Sequence, residues 1–413
     1  MPGSRMGELA ASSLVLVEGR FARFEAIEWW DQSRLAQAKV LVIGAGALGN
    51  EVVKNLALLG IGNLVLADMD RIEESNLSRS VLFRAADEGK FKAECAVRAA
   101  QDIYPSMRAM AIPGNVLSDI GLGFFRWADV VVGALDNREA RVFVNSACAR
   151  VGRPWIDGGL DVLQGIVRGF APPRTACYEC TMNKTDWELI NKRRSCSLLA
   201  RRAAAVGRTP TTPIVASIIG AIQAQEVVKL LHGMDALFGK GYVYEGRFHS
   251  SYNVSYPVNA DCPWHDPESP VIALQQLTSA VPLSRVWSEA ESRIGELDAI
   301  DLSRELVESV QCPRCGITRD LFRPTENVPE GSLICPECQV EQVPRFQHSI
   351  PPRSPLLERS AAELGLPRWD VLWARAGSRI LGLELSGDDP TGTMLRGQTS
   401  TEEVLGNVVR HER

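Results

Sequence analysis

With 413 residues, 45% apolar and 23% charged, the chain has the make-up of a folded globular protein with room for one large core and one or two smaller modules. A formal net charge of −5 gives no reason to expect nucleic acid or an anionic membrane as partner. No run of 18 consecutive apolar residues exists, and Met1–Glu8 lacks the basic-then-apolar layout of a signal peptide. Six of the ten cysteines stand in C-x-x-C pairs, at 177/180, 312/315 and 335/338. That spacing belongs to metal binding in a reducing compartment, so the expected location is cytoplasmic.

Residues 1–19 read as a flexible lead-in. A helix is expected from Arg20 through Gln37, carrying Trp29 and Trp30 and capping a sheet edge. Val40–Ile43 is a buried strand bounded by glycine. Gly44, Gly46 and Gly49 then form a G-x-G-x-x-G turn that opens a helix to Leu59. Such a turn lets backbone approach a phosphate, which the helix N-terminus holds. A second strand, from Leu64, ends in Asp68, 24 residues after Gly44, placed to bond a ribose hydroxyl. Asp70, Asn76, Arg79, Lys90 and Lys92 follow. A dinucleotide site needs no Arg and Lys just past its ribose acid, whereas a reacting triphosphate does. For Lys90 a solvated basic face is an equal reading.

Lys92–Ile103 reads as a helix closing before Pro105. Ala128–Leu135 is another buried strand, ending in Asp136-Asn137. Ligands collect at the carboxyl ends of strands in open α/β sheets, so Asp136 is placed to hold Mg²⁺. It also stands where it would cap the helix Arg138–Val151. Strands are expected at Pro154–Gly159 and Gly165–Phe170. An NAD oxidoreductase would share the glycine turn but would leave Arg79, Lys92 and Asp136-Asn137 unexplained.

The order of these motifs, closed by Arg141 and Cys177-x-x-Cys180, resembles the ubiquitin-activating enzymes and their ThiF/MoeB/HesA relatives over residues 20–265. The resemblance implies a Rossmann-like, doubly wound α/β adenylation domain with a mixed sheet. It further implies MgATP-dependent adenylation of the C-terminal glycine of a ubiquitin-like or sulfur-carrier protein by a homodimer. Asp68 would bind the ribose, Asn76, Arg79 and Lys92 the phosphates, and Asp136 the magnesium. Arg23, in Arg20-x-x-Arg23, would reach the partner subunit's ATP. Ala47 replaces the second residue of the family's double glycine, a change that a negative φ tolerates.

Residues 181–208 are basic and enclose Cys196, whose thiol neighbouring guanidinium groups would activate. In thioester-forming relatives the catalytic cysteine lies in this region, before the Thr-Pro-Thr-Thr helix start that is here at Thr209 and leads into Ile214–Leu231. Cys196 is then either a catalytic nucleophile that passes the modifier to a conjugating enzyme, or an incidental loop cysteine. The alternative is a sulfur-carrier adenylyltransferase of the thiamine, molybdopterin or cysteine type, without a thioester. Cys95 and Cys148 read as core residues. The resemblance also implies a zinc site that pairs Cys177 and Cys180 with Cys262 and His265.

Independently of that resemblance, Cys312, Cys315, Cys335 and Cys338 have zinc-ribbon spacing, giving a second structural zinc site over 312–343. Residues 266–311 are expected to be a connector with helical patches at Leu283–Ser292 and Leu302–Val310. Pro344–Pro355 reads as a linker within a small C-terminal β-rich module, 344–413, with an alternating strand at Arg379–Leu385. That module fits either docking of a conjugating enzyme or a dimer arm.

Overall fold

The computed structural model describes residues 19–188, 211–266 and 269–391. Its centre is β1 (Lys39–Ile43), in which alternate side chains enter two different cores. Val40 and Val42 face one layer, and Leu41 and Ile43 face the other. This is the doubly wound arrangement of a strand buried on both faces. β1 pairs in parallel with β2 (Asn63–Ala67) and with β4 (Val130–Gly133), so Val42 stands opposite both Leu66 and Val132. β3 (Arg108–Ile112) extends the parallel set beyond β2, and β5 (Trp155–Leu160) extends it beyond β4. β6 (Gln164–Phe170), β7 (Lys240–Glu245) and β8 (Ser250–Ser255) add an antiparallel edge. The order is β3-β2-β1-β4-β5-β6-β7-β8. The expected mixed sheet is observed.

Two short helices, α1 (Ala22–Glu25) and α2 (Gln32–Gln37), replace the single helix expected over Arg20–Gln37. Asp31 breaks it, because its carboxylate accepts the Ser33 N–H and starts α2 anew. α3 (Ala47–Leu59), α4 (Lys92–Ile103) and α7 (Pro213–Leu231) cover one face of the sheet. α5 (Leu122–Trp127) and α6 (Arg138–Arg150) cover the other. Cys95 and Cys148 are buried in these layers.

A second sheet takes β9 (Val271–Ala273), β10 (Ala299–Gln311), β11 (Thr318–Pro324), β12 (Val343–Ile350), β13 (Val371–Ala376) and β14 (Arg379–Glu384). α8 (Leu283–Ile294) packs on it through Leu283, Val286 and Ala290. Two expectations are corrected here. Leu302–Val310 is strand, not helix: a bulge between Val307 and Ser309 shifts the buried face and mimics helical spacing. Pro344 lies inside β12 rather than in a linker, and its missing N–H is tolerated because β12 pairs with β10 alone.

The second sheet shares a core with the first. Trp369, Val371 and Trp373 join Phe124 and Phe125. Gly121 and Gly123 allow this approach, since a Cβ on Gly123 would lie 2.5 Å from the Trp369 ring. The Gly123 N–H donates to Trp369 O at 2.9 Å, and Arg304 Nη2 donates to Ile120 O at 2.8 Å.

Candidate functional site

Strand order reverses between β1 and β4, which opens a crevice at their carboxyl ends. Gly44 turns the chain there with φ of 101°, and a Cβ on it would sit 2.4 Å from Ala134 O. A Cβ on Gly49 would sit 2.0 Å from Gly44 O, so this glycine packs α3 against the turn. Gly46 differs from both. It has φ of −71° and open space around its missing Cβ, so its bareness keeps the mouth of the crevice clear. As N-cap of α3 it offers no side-chain acceptor, so the leading helix amides are left uncapped, the arrangement in which a helix N-terminus can receive an anion. Ala47 is the first helical residue and lies outside the positive-φ set, so its methyl is accommodated.

Asp68, just past β2, is fastened to this turn. Its Oδ2 accepts the Ala45 N–H at 2.6 Å and its Oδ1 accepts the Asp70 N–H at 2.8 Å. Burial pushes its carboxyl above the usual range, against the opposing pull of Lys92 and these two amides. Asn50, which the sequence reading missed, locks the same turn from α3. Its amide donates to Ala45 O at 2.7 Å and its carbonyl accepts the Leu82 N–H at 2.9 Å. No spacing rule marks a buried helical asparagine.

The loop from Arg71 to Phe91 is closed at its base by a bridge between those two residues, which brings Asp70 beside Lys92. Lys92 Nζ lies 2.7 Å from Asp70 Oδ2. The ammonium stands on the first residue of α4, where the helix dipole disfavours a cation, and it is mostly buried. Such a cation is poised for a strong anion. Arg79 is half-buried, donates to Ser75 O at 2.6 Å and has no salt bridge to a described carboxylate. Asn76 is buried, and its Oδ1 caps the Glu73 N–H at 3.0 Å. Lys90 is exposed and pairs at 3.1 Å with the buried Asp87, which favours its structural reading.

Asp136 is exposed just past β4. It does not cap α6; Asn137 does, accepting the Ala140 N–H at 2.8 Å. The shorter reach belongs to the residue immediately before the helix, which leaves the Asp136 carboxylate available to a cation. The Asn137 amide donates to Asp136 Oδ1 at 3.1 Å. Arg20 is anchored on the Tyr104 ring and Ile103 O, whereas Arg23 is exposed on α1 and makes no described side-chain bond. Cys196 lies outside the described residues.

Two sulfur clusters are assembled. Cys177, Cys180, Cys262 and His265 bring their ligand atoms within 4.8 Å of one another, as do Cys312, Cys315, Cys335 and Cys338. In the first cluster His265 Nε2 lies 3.0 Å from Cys180 Sγ, while Nδ1 is 3.2 Å from Pro173 O. That carbonyl accepts a hydrogen bond from Nδ1–H, which leaves Nε2 unprotonated as the ligand. Burial pushes the Cys177 thiol up, so a bound dication is what would keep it a thiolate. In the second cluster Cys312 Sγ lies 3.3 Å from Cys338 Sγ, and Cys315 Sγ 3.5 Å from Cys335 Sγ. Both sets suit closed, tetrahedral zinc.

The ThiF family profile matches residues 19–262. The chain is 32% identical over 238 residues to the sulfur carrier protein adenylyltransferase of Thermus thermophilus, spanning 56% of this chain and 83% of that one. It is 39% identical over 160 residues to the catalytic subunit of the Nedd8-activating enzyme E1 of Drosophila melanogaster, but spans only 35% of that protein. Among solved structures, Escherichia coli MccB with ATP has a TM-score of 0.50 and 24% identity, covering 60% of this chain and 74% of that one. That likeness is one of fold.

Proposed function

The chain belongs to the ThiF family, and from that premise we propose that it adenylates the C-terminal glycine of a ubiquitin-like or sulfur-carrier protein, as a cytoplasmic homodimer. The observation that carries this reading is the fastening of Asp68 to the glycine turn at the uncapped start of α3, with Lys92 held beside Asp70 and Asp136 exposed just past β4, the strand next to β1. ATP is the substrate whose parts match that set. Asp68 takes the ribose, and the α3 amides with Arg79, Asn76 and Lys92 take the phosphates. Asp136 would hold Mg²⁺, whose chemistry there would be to offset negative charge on the phosphates.

In the first step a carboxylate oxygen of the carrier attacks the α-phosphorus. The bond to the bridging oxygen breaks, and pyrophosphate leaves with that electron pair, giving an acyl-adenylate. Lys92 and Arg79 stabilise charge that grows on the phosphates, a task of positioning and electrostatics. Arg23, exposed and uncommitted, would reach the ATP of the partner subunit.

In the second step the Cys196 thiolate attacks the acyl carbon, AMP leaves, and the thioester passes to a conjugating enzyme. A second reading, sulfur-carrier activation with no thioester, is favoured by the Thermus relative, which aligns over most of its own length. ATP–pyrophosphate exchange with glycine-ended carrier proteins tests the first step. Carrier-dependent exchange is expected, and its absence with every such carrier overturns the proposal. A dithiothreitol-sensitive carrier adduct that Cys196→Ala abolishes would select the thioester route.

A further inference from the structure

Asp157 on β5 is fully buried, although the adenylation chemistry asks for no carboxylate there. Two cations share it. Its Oδ1 accepts from Arg141 Nε at 2.9 Å, and its Oδ2 accepts from Arg168 Nε at 3.1 Å. Arg141 then uses Nη2 to reach the carbonyls of Leu135 and, at 3.0 Å, Gly158. Leu135 immediately precedes Asp136. One buried acid thus holds a guanidinium that staples the loop leaving β4 onto β5.

The strands themselves do not need this staple. β4 and β5 are already paired through Val131, Val132 and Gly133. Gln223 of α7 also donates to Gly133 O at 2.9 Å and Ile156 O at 3.3 Å. A buried ion pair adds little stability over an apolar replacement, so its use here is better sought in placement. The point it places is the loop. Ala134 is fixed by its N–H to Ile43 O at 2.8 Å, and Asn137 by the α6 cap. Between them, the carbonyl of Leu135 is held by Arg141.

We propose that Asp157 is a positioning residue: through Arg141 it sets the Leu135 peptide and hence the placement of the Asp136 carboxylate that would hold Mg²⁺. The inference rests on the reading of Asp136 given above. Calorimetric titration of the whole chain with ATP, in Mg²⁺ and in EDTA, separates the two. Asp157→Asn keeps the shape and one acceptor; Arg141→Lys keeps the charge but loses the fork, and serves if the first variant fails to fold. Each is expected to lower the affinity gained from Mg²⁺ by about tenfold, the scale of outer-shell effects on metal sites. ATP affinity in EDTA should change less than about twofold, within the scatter of independent sites. In an Asp136→Asn background, Asp157→Asn should have no further effect. Equal losses with and without Mg²⁺, or losses that multiply in the double variant, would make Asp157 a fold residue only and overturn the inference. A wild-type chain whose ATP affinity gains nothing from Mg²⁺ would instead sink the reading of Asp136, and this inference with it.

Discussion

The amide N–H of Tyr178 donates to Asn145 Oδ1 at 2.9 Å, joining the middle of α6 to the turn that carries Cys177 and Cys180. The same asparagine lies 3.4 Å from Glu179 Oε1, which also accepts from Trp264 Nε1 at 2.6 Å. Both halves of the Cys₃His cluster are therefore tied to the helix whose N-terminus follows Asp136. Asn145→Ala leaves a buried N–H without a partner. It should cost about 1–3 kcal/mol in denaturant unfolding. It should also speed zinc loss to a chelator, while zinc at the Cys₄ cluster is released as in the wild type. Unchanged release from the Cys₃His cluster would mean that α6 does not support it.

The Asp68 carboxyl is pushed up by burial, and this makes stability depend on pH in a definite sense. A raised folded-state pKa means that the native chain binds the proton more tightly than the unfolded one. The corresponding stability is present below the ordinary carboxylate value of 3.8 and is lost as pH rises through the folded value. Relative to Asp68→Asn, the wild type should therefore lose stability on going from acid toward neutral pH. Unfolding curves for both chains across that window check this. A difference that stays flat with pH would show that Asp68 titrates normally.

Asp370 joins the two sheets. It is fully buried, accepts the Leu122 N–H at 3.0 Å and lies 3.3 Å from Arg304 Nη1. Arg304 is itself buried, and desolvation lowers its pKa. Asp370→Ala strands that cation, and such truncations cost about 3–5 kcal/mol. Glu289→Ala removes the half-exposed partner of Arg293 on α8 and should change stability by less than about 1 kcal/mol. Equilibrium unfolding of the two variants gives the comparison. Equal effects would show that burial does not set the strength of these pairs.

The parts of the fold that were legible share a clean local period. Val40–Ile43 with its glycine turn, the helix Lys92–Ile103 and the helix from Pro213 all stand where side-chain pattern and caps put them. β10 was not legible, because its bulge at Val307/Ser309 produces apolar spacing that a helix also produces. β12 was hidden by Pro344, since an edge position cannot be told from sequence. At the site, the strand-end acids and Lys92 follow from motif order. Asn50 and the Asp157–Arg168 pair do not, because their partners come from elsewhere in the chain: Leu82 for Asn50, and the neighbouring strand for Asp157. The cap of α6 fell to Asn137 rather than Asp136, a one-residue difference that frees the acid.

The three glycines of the turn separate folding from binding. Gly49→Ala would force a methyl to within 2.0 Å of a backbone oxygen, and Gly44→Ala combines a 2.4 Å clash with φ of 101°. Both should destabilise the chain, by about 1–3 kcal/mol or more as overpacking usually does. Gly46→Ala meets nothing within 4 Å at a φ of −71° that alanine adopts freely. Its melting temperature should match the wild type, while its affinity for ATP falls, because the methyl occupies the space a phosphate needs at the start of α3. Thermal unfolding and nucleotide titration on the same preparations distinguish these outcomes. If Gly46→Ala binds ATP as tightly as the wild type, the nucleotide does not pass over the mouth of this crevice. The assignment of the α3 amides as its phosphate cradle would then fall, although the fold that presents them would stand.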